Sequence, residues 1–271
     1  MKGRVLIVAG SDSGGGAGIQ ADIKTVTALN GYAATAITAL TAQNTTGVYG
    51  IEEIPVPFIA QQMTVVLDDF GADALKTGML HRSEVIETVA DTIAELAPDV
   101  PLVVDPVMYA KGGAALLTED AHKTLTERLL PLARVVTPNL PEAAHLADMP
   151  VETLDDMERA GAQIMARGAQ AVLIKGGHLE GPEITDLLFD AGDVIRFTGQ
   201  RIESRHTHGT GCTLASAIAT GLAQGMALQA AVDRARAYVA EAIRTAPGYG
   251  GGHGPLNHAH PLARTCEEAQ P

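Results

Sequence analysis

With 271 residues, 46% of them hydrophobic and 19% charged, the chain is long enough to bury a continuous core and too apolar for wholesale disorder. Nineteen Lys and Arg against 32 Asp and Glu leave a formal net charge of −13, and Trp is absent beside 5 Tyr and 4 Phe. Such a surface repels phosphate backbones and anionic lipid and offers few stacking platforms, which excludes general nucleic-acid or membrane-surface binding.

Short β-branched runs alternate with longer helical patterns. Val5–Ala9 reads as the first strand and Ile19–Leu29 as the first helix, closed by Asn30-Gly31. Strands at Ala34–Leu40 and Asp73–Thr77 flank a helix at Pro57–Asp69, and Ser83 caps a helix over Ser83–Leu96. Leu102–Asp105, Arg134–Thr137 and Ala171–Lys175 are further strands, separated by helices at Glu119–Leu129, Glu142–Ala147 and Leu154–Arg167. Thr153-Leu-Asp-Asp156 forms a capping-box variant before the last of these. The strands are nearly continuous apolar runs, as expected when both faces are covered.

Thr185–Phe189 and Val194–Phe197, joined by Asp190-Ala-Gly-Asp193, read as an antiparallel hairpin. Two helices rich in small residues follow at Cys212–Gln224 and Leu228–Thr245. The fold class is therefore α/β: a doubly wound, mostly parallel sheet with helices on both faces and a hairpin near residues 185–197. Residues 1–246 form one domain, and 247–271 form a Gly/His/Pro-rich tail without regular structure.

Two cysteines, Cys212 and Cys266, are too few to staple a secreted scaffold and point to a reducing cytoplasm. Lys2 and Arg4 precede the apolar run Val5–Ala9 as in an export signal, but Gly10-Ser11-Asp12 ends it short of the roughly 7–15 residues required.

In open α/β sheets, ligands bind at the carboxyl ends of the strands. The loops opening at Gly10, Thr41, Gly78, Asp105, Thr137 and Lys175 therefore hold the candidate residues. Gly10-Ser-Asp-Ser-Gly-Gly-Gly-Ala-Gly18 is flexible enough to approach a ligand and feeds a helix N-terminus. Gly16-Ala-Gly18-Ile-Gln-Ala21 formally fits a dinucleotide fingerprint, but the second strand ends in Thr41-Ala-Gln43-Asn44 with no acid to hold a ribose. Thr207-His-Gly-Thr-Gly-Cys212-Thr opens a helix whose exposed amides suit an anion, and Cys212 sits where the helix field favours thiolate. Asn139-Leu-Pro-Glu142 is both a well-made helix start and a source of a carboxylate for Mg²⁺. Asp105 and Lys175, each at a strand end, complete the acid-and-cation set that phosphoryl transfer needs. His253, His258 and His260 match no standard zinc spacing and read as part of a flexible or loop-packing tail.

Taken in order, Ala9-Gly-Ser-Asp-Ser-Gly-Gly-Gly-Ala-Gly-Ile-Gln-Ala-Asp22, Lys76-Thr-Gly-Met79, Val104-Asp-Pro-Val-Met108, Thr137-Pro-Asn-Leu-Pro-Glu142 and Thr207-His-Gly-Thr-Gly-Cys-Thr213 resemble the hydroxymethylpyrimidine/phosphomethylpyrimidine kinases of thiamine biosynthesis, members of the ribokinase-like superfamily. The likeness runs from about residue 4 to residue 260 and includes Gly252-His-Gly-Pro-Leu-Asn-His258. It implies ATP- and Mg²⁺-dependent phosphorylation of 4-amino-5-hydroxymethyl-2-methylpyrimidine to its monophosphate and then its diphosphate, by a homodimer. It implies that Gln43 reads the aminopyrimidine edge and that Gly10, Ala17, Met79 and Val107 line the pocket. Cys212, standing where the superfamily more often has Asp, would accept the proton of the hydroxymethyl group, with Gly209, Thr210 and Gly211 as the anion hole. Asp105, Asn139 and Glu142 would organise Mg²⁺ and its waters, and Lys175, with Thr207, would contact the nucleotide.

Two alternatives remain. A pyridoxal kinase of the same fold is the nearer, against which Gln43 argues, since its amide can pair with both a ring nitrogen and an exocyclic amine. The other is a non-catalytic nucleotide-binding sensor, whose mark would be loss of Cys212, Glu142 or Lys175; all three are present.

Overall fold

The computed structural model describes residues 1–109, 113 and 115–262. Among them, nine strands form one sheet and eight α-helices cover it. The order along the chain is β1 (Arg4–Asp12), α1 (Gly18–Ala28), β2 (Tyr32–Gln43), β3 (Val48–Glu53), α2 (Val56–Asp69), β4 (Ala74–Thr77), α3 (Ser83–Leu96), β5 (Leu102–Val104) and α4 (Glu119–Thr124). It continues with β6 (Ala133–Val136), α5 (Leu140–Ala147), α6 (Leu154–Ala166), β7 (Ala171–Ile174), β8 (Glu183–Asp190), β9 (Asp193–Gln200), α7 (Thr210–Ala223) and α8 (Leu228–Arg244). No helix among the described residues is long and apolar enough to cross a membrane.

The spatial order is β3-β2-β1-β4-β5-β6-β7-β8-β9. Strands β2, β1, β4, β5, β6 and β7 run parallel, while β3, β8 and β9 add antiparallel edges. The order reverses at β1, so the crevice between the ends of β1 and β4 is the topological switch point. Along β1 the period of two divides the apolar run between two cores: Leu6 and Val8 pack towards α2 and α3, and Val5, Ile7 and Ala9 towards α1, α7 and α8. The sheet is doubly wound, as the sequence implied.

Three local expectations need correction. Ser83 is not the cap of α3: that position belongs to Arg82, and the Ser83 hydroxyl donates instead to Asp120 at 2.7 Å. The helix expected over Glu119–Leu129 is α-helical only to Thr124, then widens into a π-turn over Leu125–Leu129 and a 3-10 turn over Leu130–Leu132. Pro131 has no N–H to continue the helical ladder. Strand β3 was not anticipated, because Gly50 interrupts a short, exposed run; the turn before it is set by the Asn44 side chain, which accepts from Thr46 N at 2.9 Å. The capping boxes at Asn139/Glu142 and Thr153/Asp156 are both present.

The tail packs on the domain. Asn257 N donates to Ala242 O at 3.0 Å, Tyr238 Oη donates to His258 O at 2.7 Å, and His253 N donates to Thr45 O at 2.9 Å. Cys266 lies outside the described residues.

One ion pair is sealed inside. Lys76 on β4 reaches both carboxylate oxygens of Asp22 on α1, at 2.9 and 3.0 Å, and both side chains are wholly buried. Ser216 on α7 donates to the same carboxylate at 2.7 Å, so one charge pair ties strand, α1 and α7 together. Lys76→Met strands a buried carboxylate and is expected to cost about 3–5 kcal/mol in urea unfolding. Adding Asp22→Leu should recover most of that loss; no recovery would mean that the packing of the lysine stem, not the charge, carries the effect.

Candidate active site

Helix α7 starts at the carboxyl edge of the sheet behind Gly209, whose φ of +79° lies in the left-handed region. A Cβ at Gly209 would collide with the Gly16 carbonyl, so this start is pressed against the glycine loop. Thr207 O accepts from the Thr210 hydroxyl at 2.7 Å, shaping the turn into the helix. The first amides of a helix lack partners within it and carry its positive dipole end. A Cβ on Gly211 would stand 3.3 Å from Lys175 Nζ and 3.6 Å from Asp105 Oδ1, so the first turn of α7 faces an ammonium and a carboxylate at once.

Lys175 follows β7, and its backbone pairs beside Asn139, donating to Pro138 O at 2.9 Å. Its ammonium lies 3.6 Å from Asp105 and 3.8 Å from Glu142. Burial alone would lower Lys175, but the Asp105 and Glu142 charges outweigh it and raise the ammonium above its ordinary value. Burial pushes Glu142 up to about 7 against the pull of Lys175, with Asp105 adding to the rise. Glu142 also closes the Asn139 capping box: its Oε2 accepts from Asn139 N at 2.7 Å, and Asn139 Oδ1 accepts from Glu142 N at 2.9 Å. Asp105 Oδ2 is buried with no hydrogen-bond partner. Two carboxylates, one cation and one unpaired oxygen form a set that suits Mg²⁺, which takes one or two carboxylates and fills its shell with water and phosphate oxygens. No cluster of three or more His, Cys, Asp or Glu among the described residues could hold a metal on its own.

Cys212 sits between these two features, part-exposed in the first turn of α7. The expectation that the helix field favours thiolate is corrected here. Burial pushes the thiol up to about 12; Lys76 opposes this, Asp105 and Asp22 reinforce it, and a hydrogen bond from the Gly18 amide only partly offsets it.

On the other side of the switch point, a small apolar wall is built from Met79, Ala39 and Leu116, with Val107 and Ile51 against it. A Cβ on Gly10 would stand 3.2 Å from Met79 Sδ, so glycine there keeps the wall open at β1. Gln43 ends β2; its main chain is bound to Ser13 of the glycine loop in both directions at 2.9 Å. Strand β1 runs on to Asp12, three residues beyond the apolar run that ends at Ala9. Asp12 accepts from the amides of Gly14, Gly16 and Ala17 at 2.8, 3.1 and 2.8 Å and pairs with His208 at 2.8 Å. Against its burial, the His208 and Ala17 hydrogen bonds hold Asp12 below the usual carboxylate range. Those loop amides are thus already satisfied inside the protein, and the open anion-facing amides lie at α7 instead.

The residues singled out in the sequence fall into two neighbouring groups. Asp105, Glu142, Asn139, Lys175 and the Thr207–Cys212 turn make one, and Gly10, Met79 and Val107 make the other; Ala17 lies against Gly209, and Gln43 against Ser13 of the glycine loop. Asp12, His208, Asp22 and Lys76 were not singled out, although all four lie inside the quoted motifs. The available signal was charge: acids and a lysine inside apolar or glycine-rich runs need partners when buried. Of the tail histidines, His258 is buried against Thr213 at 3.0 Å, and its burial lowers it to about 4, so it packs as a neutral ring.

The chain matches the phosphomethylpyrimidine kinase family model over residues 12–257. It is 48% identical over 256 residues to the hydroxymethylpyrimidine/phosphomethylpyrimidine kinase of Bacillus subtilis, covering 94% of each chain. It is 52% identical over 257 residues to a thiamine biosynthesis bifunctional protein of Geobacter sulfurreducens, covering 95% of this chain but only 52% of that longer relative. Among solved structures, the ADP complex of Bacillus subtilis pyridoxal kinase superposes with a TM-score of 0.86 at 37% identity, covering 96% of this chain and 98% of that one. The ribokinase-like resemblance is thereby borne out, and the chain belongs to the phosphomethylpyrimidine kinase family.

Proposed function

We propose that this protein phosphorylates 4-amino-5-hydroxymethyl-2-methylpyrimidine with ATP and Mg²⁺, first to the monophosphate and then to the diphosphate, as a kinase of thiamine biosynthesis. The observation that carries the reading is the meeting of the α7 N-terminus with Lys175 and the Asp105–Glu142 pair. Phosphoryl transfer asks a protein mainly for alignment and charge stabilisation, and this edge offers both.

In this reading the amides of Gly209, Thr210 and Gly211 and the ammonium of Lys175 hold the transferring phosphoryl oxygens, with Thr207 shaping the turn that presents them. Asp105 and Glu142 would hold Mg²⁺, with Asn139 fixing the Glu142 carboxylate, and the ion would supply charge neutralisation. Gly10, Ala17, Met79 and Val107 clamp the ring, and Gln43 pairs with its ring nitrogen and exocyclic amine. Cys212 takes the hydroxymethyl proton as the O–P bond forms. Neutralising Asp105 would remove one of the charges that keep the thiol protonated, so that Cys212 would release its own proton to water first and meet the hydroxymethyl group as thiolate. The pyridoxal kinase neighbour keeps a second reading alive, transfer to pyridoxal in the same pocket, which Gln43 disfavours. The protein works in the cytoplasm as a homodimer, for which the exposed Leu40 and Tyr49 at the β2–β3 edge offer apolar surface.

The deciding experiment is an ATP-consumption assay with Mg²⁺, offering hydroxymethylpyrimidine and pyridoxal separately and following products by mass. Two successive phosphate additions to the pyrimidine are expected. Pyridoxal turnover alone would transfer the site to the second reading, and no turnover of either would leave a nucleotide-binding sensor.

Cys212→Ala should slow the first phosphorylation about tenfold or more beyond its effect on the second, whose acceptor is already a phosphate. Mono- and diphosphate formation measured from each starting compound reads this directly. Equal losses would mean that the variant damages the anion-binding turn instead.

Glu142 also gives a pH signature. Its folded value of about 7 lies above the ordinary 4.5, so between these values only the folded chain keeps the proton. Stability from this group is therefore lost as pH rises, completely above about 7, by on the order of 1–3 kcal/mol. His258, lowered to about 4, acts in the opposite direction below pH 6.5. The difference between wild type and Glu142→Gln in urea unfolding from pH 5 to 8 isolates the carboxylate. A pH-independent difference would place Glu142 in an ordinary carboxylate environment.

A further inference from the structure

Three side chains meet where β1, β2 and the turn before α7 converge. His208 Nε2 lies 2.8 Å from Asp12 Oδ2 and 3.4 Å from the Gln43 side-chain nitrogen. An ionised carboxylate only accepts, so His208 carries its proton on Nε2 and cannot accept there from an amide NH₂. At its other end, Gln43 Oε1 lies 3.1 Å from Thr41 Oγ1, whose single proton has a second acceptor in Ser11 O at 3.0 Å. Half a turn of the Gln43 amide removes both conflicts. Its oxygen then shares the His208 Nε2–H with Asp12, its nitrogen donates to Thr41 Oγ1, and Thr41 donates to Ser11. The two ends of an amide are nearly identical in shape, so the inventory of donors and acceptors decides between them.

We propose that His208 is a specificity-determining positioning residue: braced by Asp12, it locks the Gln43 amide in one orientation and so fixes the order of donor and acceptor offered to the substrate ring. The inference rests on Gln43 as the ring-reading residue. An aminopyrimidine presents a ring acceptor beside an exocyclic donor, and a reversed amide would meet it donor to donor and acceptor to acceptor. A freely turning amide accepts rings of either order; a locked one rejects the reversed order by leaving polar groups opposed. The brace is built for stiffness. Asp12 also holds three amides of the glycine loop, and the His208 main chain is tied separately to Gly254 O at 3.2 Å, so the ring can be changed without removing that backbone bond.

The test is a double-mutant cycle on Gln43→Ala and His208→Leu, reading KM for hydroxymethylpyrimidine, Ki for pyridoxal as a competing ring, and kcat. His208→Leu should raise the pyrimidine KM about tenfold and narrow the gap to the pyridoxal Ki, while kcat moves less than about threefold. In the Gln43→Ala background the same substitution should change the gap by less than about twofold. An equal effect in both backgrounds overturns the proposal, since His208 would then act without Gln43. If Gln43→Ala alone leaves KM and Ki untouched, the ring-reading role of Gln43 falls first. Should His208→Leu unfold, His208→Gln, which can place a donor near the Nε2 position, should keep the gap where His208→Asn, too short to do so, loses it. Equal behaviour of these two variants also overturns the proposal.

Discussion

The Lys76 ammonium, wholly buried between α1 and α7, is the constraint on which the rest of the site depends. A bare charge there would be untenable, so Asp22 must come within 3 Å, and Ser216 must satisfy the same carboxylate. Those contacts set α1 and α7 against β4, and Ser216 lies one turn beyond Cys212 on the same helix. The position of the α7 N-terminus over the sheet edge thus follows from an ion pair in the core. The same ammonium is the main charge opposing protonation of Cys212, so one group serves both the architecture and the electrostatics of the reacting end.

Much of this was legible in the sequence wherever apolar burial governs the local structure. The nearly continuous apolar runs of Val5–Ala9 and its equivalents located the six parallel strands, and Asn139-Leu-Pro-Glu142 announced its helix start. The edge strand β3 escaped because only one neighbour pairs with it and its side chains are largely exposed, leaving no hydrophobic pattern to read. The π-turn at Leu125–Leu129 escaped because its side chains suit an ordinary helix and only the backbone departs from one. At the site, the sequence supplied the members but not their pairings. Asp12 and His208 are 196 positions apart, and their contact exists only once the sheet brings the β1 end beside the turn before α7.

The glycine loop shows how a segment flexible enough to approach a ligand is also tied down by an acid of its own. Its glycines suggested amides free to approach a ligand. Asp12 gathers three amides between Gly14 and Ala17, a Cβ on Gly16 would meet the His208 ring, and one on Gly209 would meet the Gly16 carbonyl. The loop is a packing surface for the α7 turn. The tail reinforces the same junction: a Cβ on Gly16 would stand 3.2 Å from Pro255, and Gly254 accepts from His208. Residues from the two ends of the chain therefore close over one side of the site, and the match to the family model, running to residue 257, takes in this strap.

That closure bears on how a thiol held near 12 can serve beside phosphate chemistry. Three negative groups, Asp22, Asp105 and the ionisable Glu142, share the space with two buried ammonium groups, and Asp22 is already matched by Lys76. What remains is Lys175 against Asp105 and Glu142, a set one positive charge short whenever Glu142 ionises. Burial, with the Asp105 charge adding to it, raises Glu142 to about 7, and burial with the charges of Asp105 and Asp22 raises the Cys212 thiol as well. Any cation entering beside Asp105 acts on both groups in the same direction, favouring the carboxylate and lowering the thiol. Glu142 and Cys212 are thus coupled through one shared neighbour, Asp105, whose charge raises both.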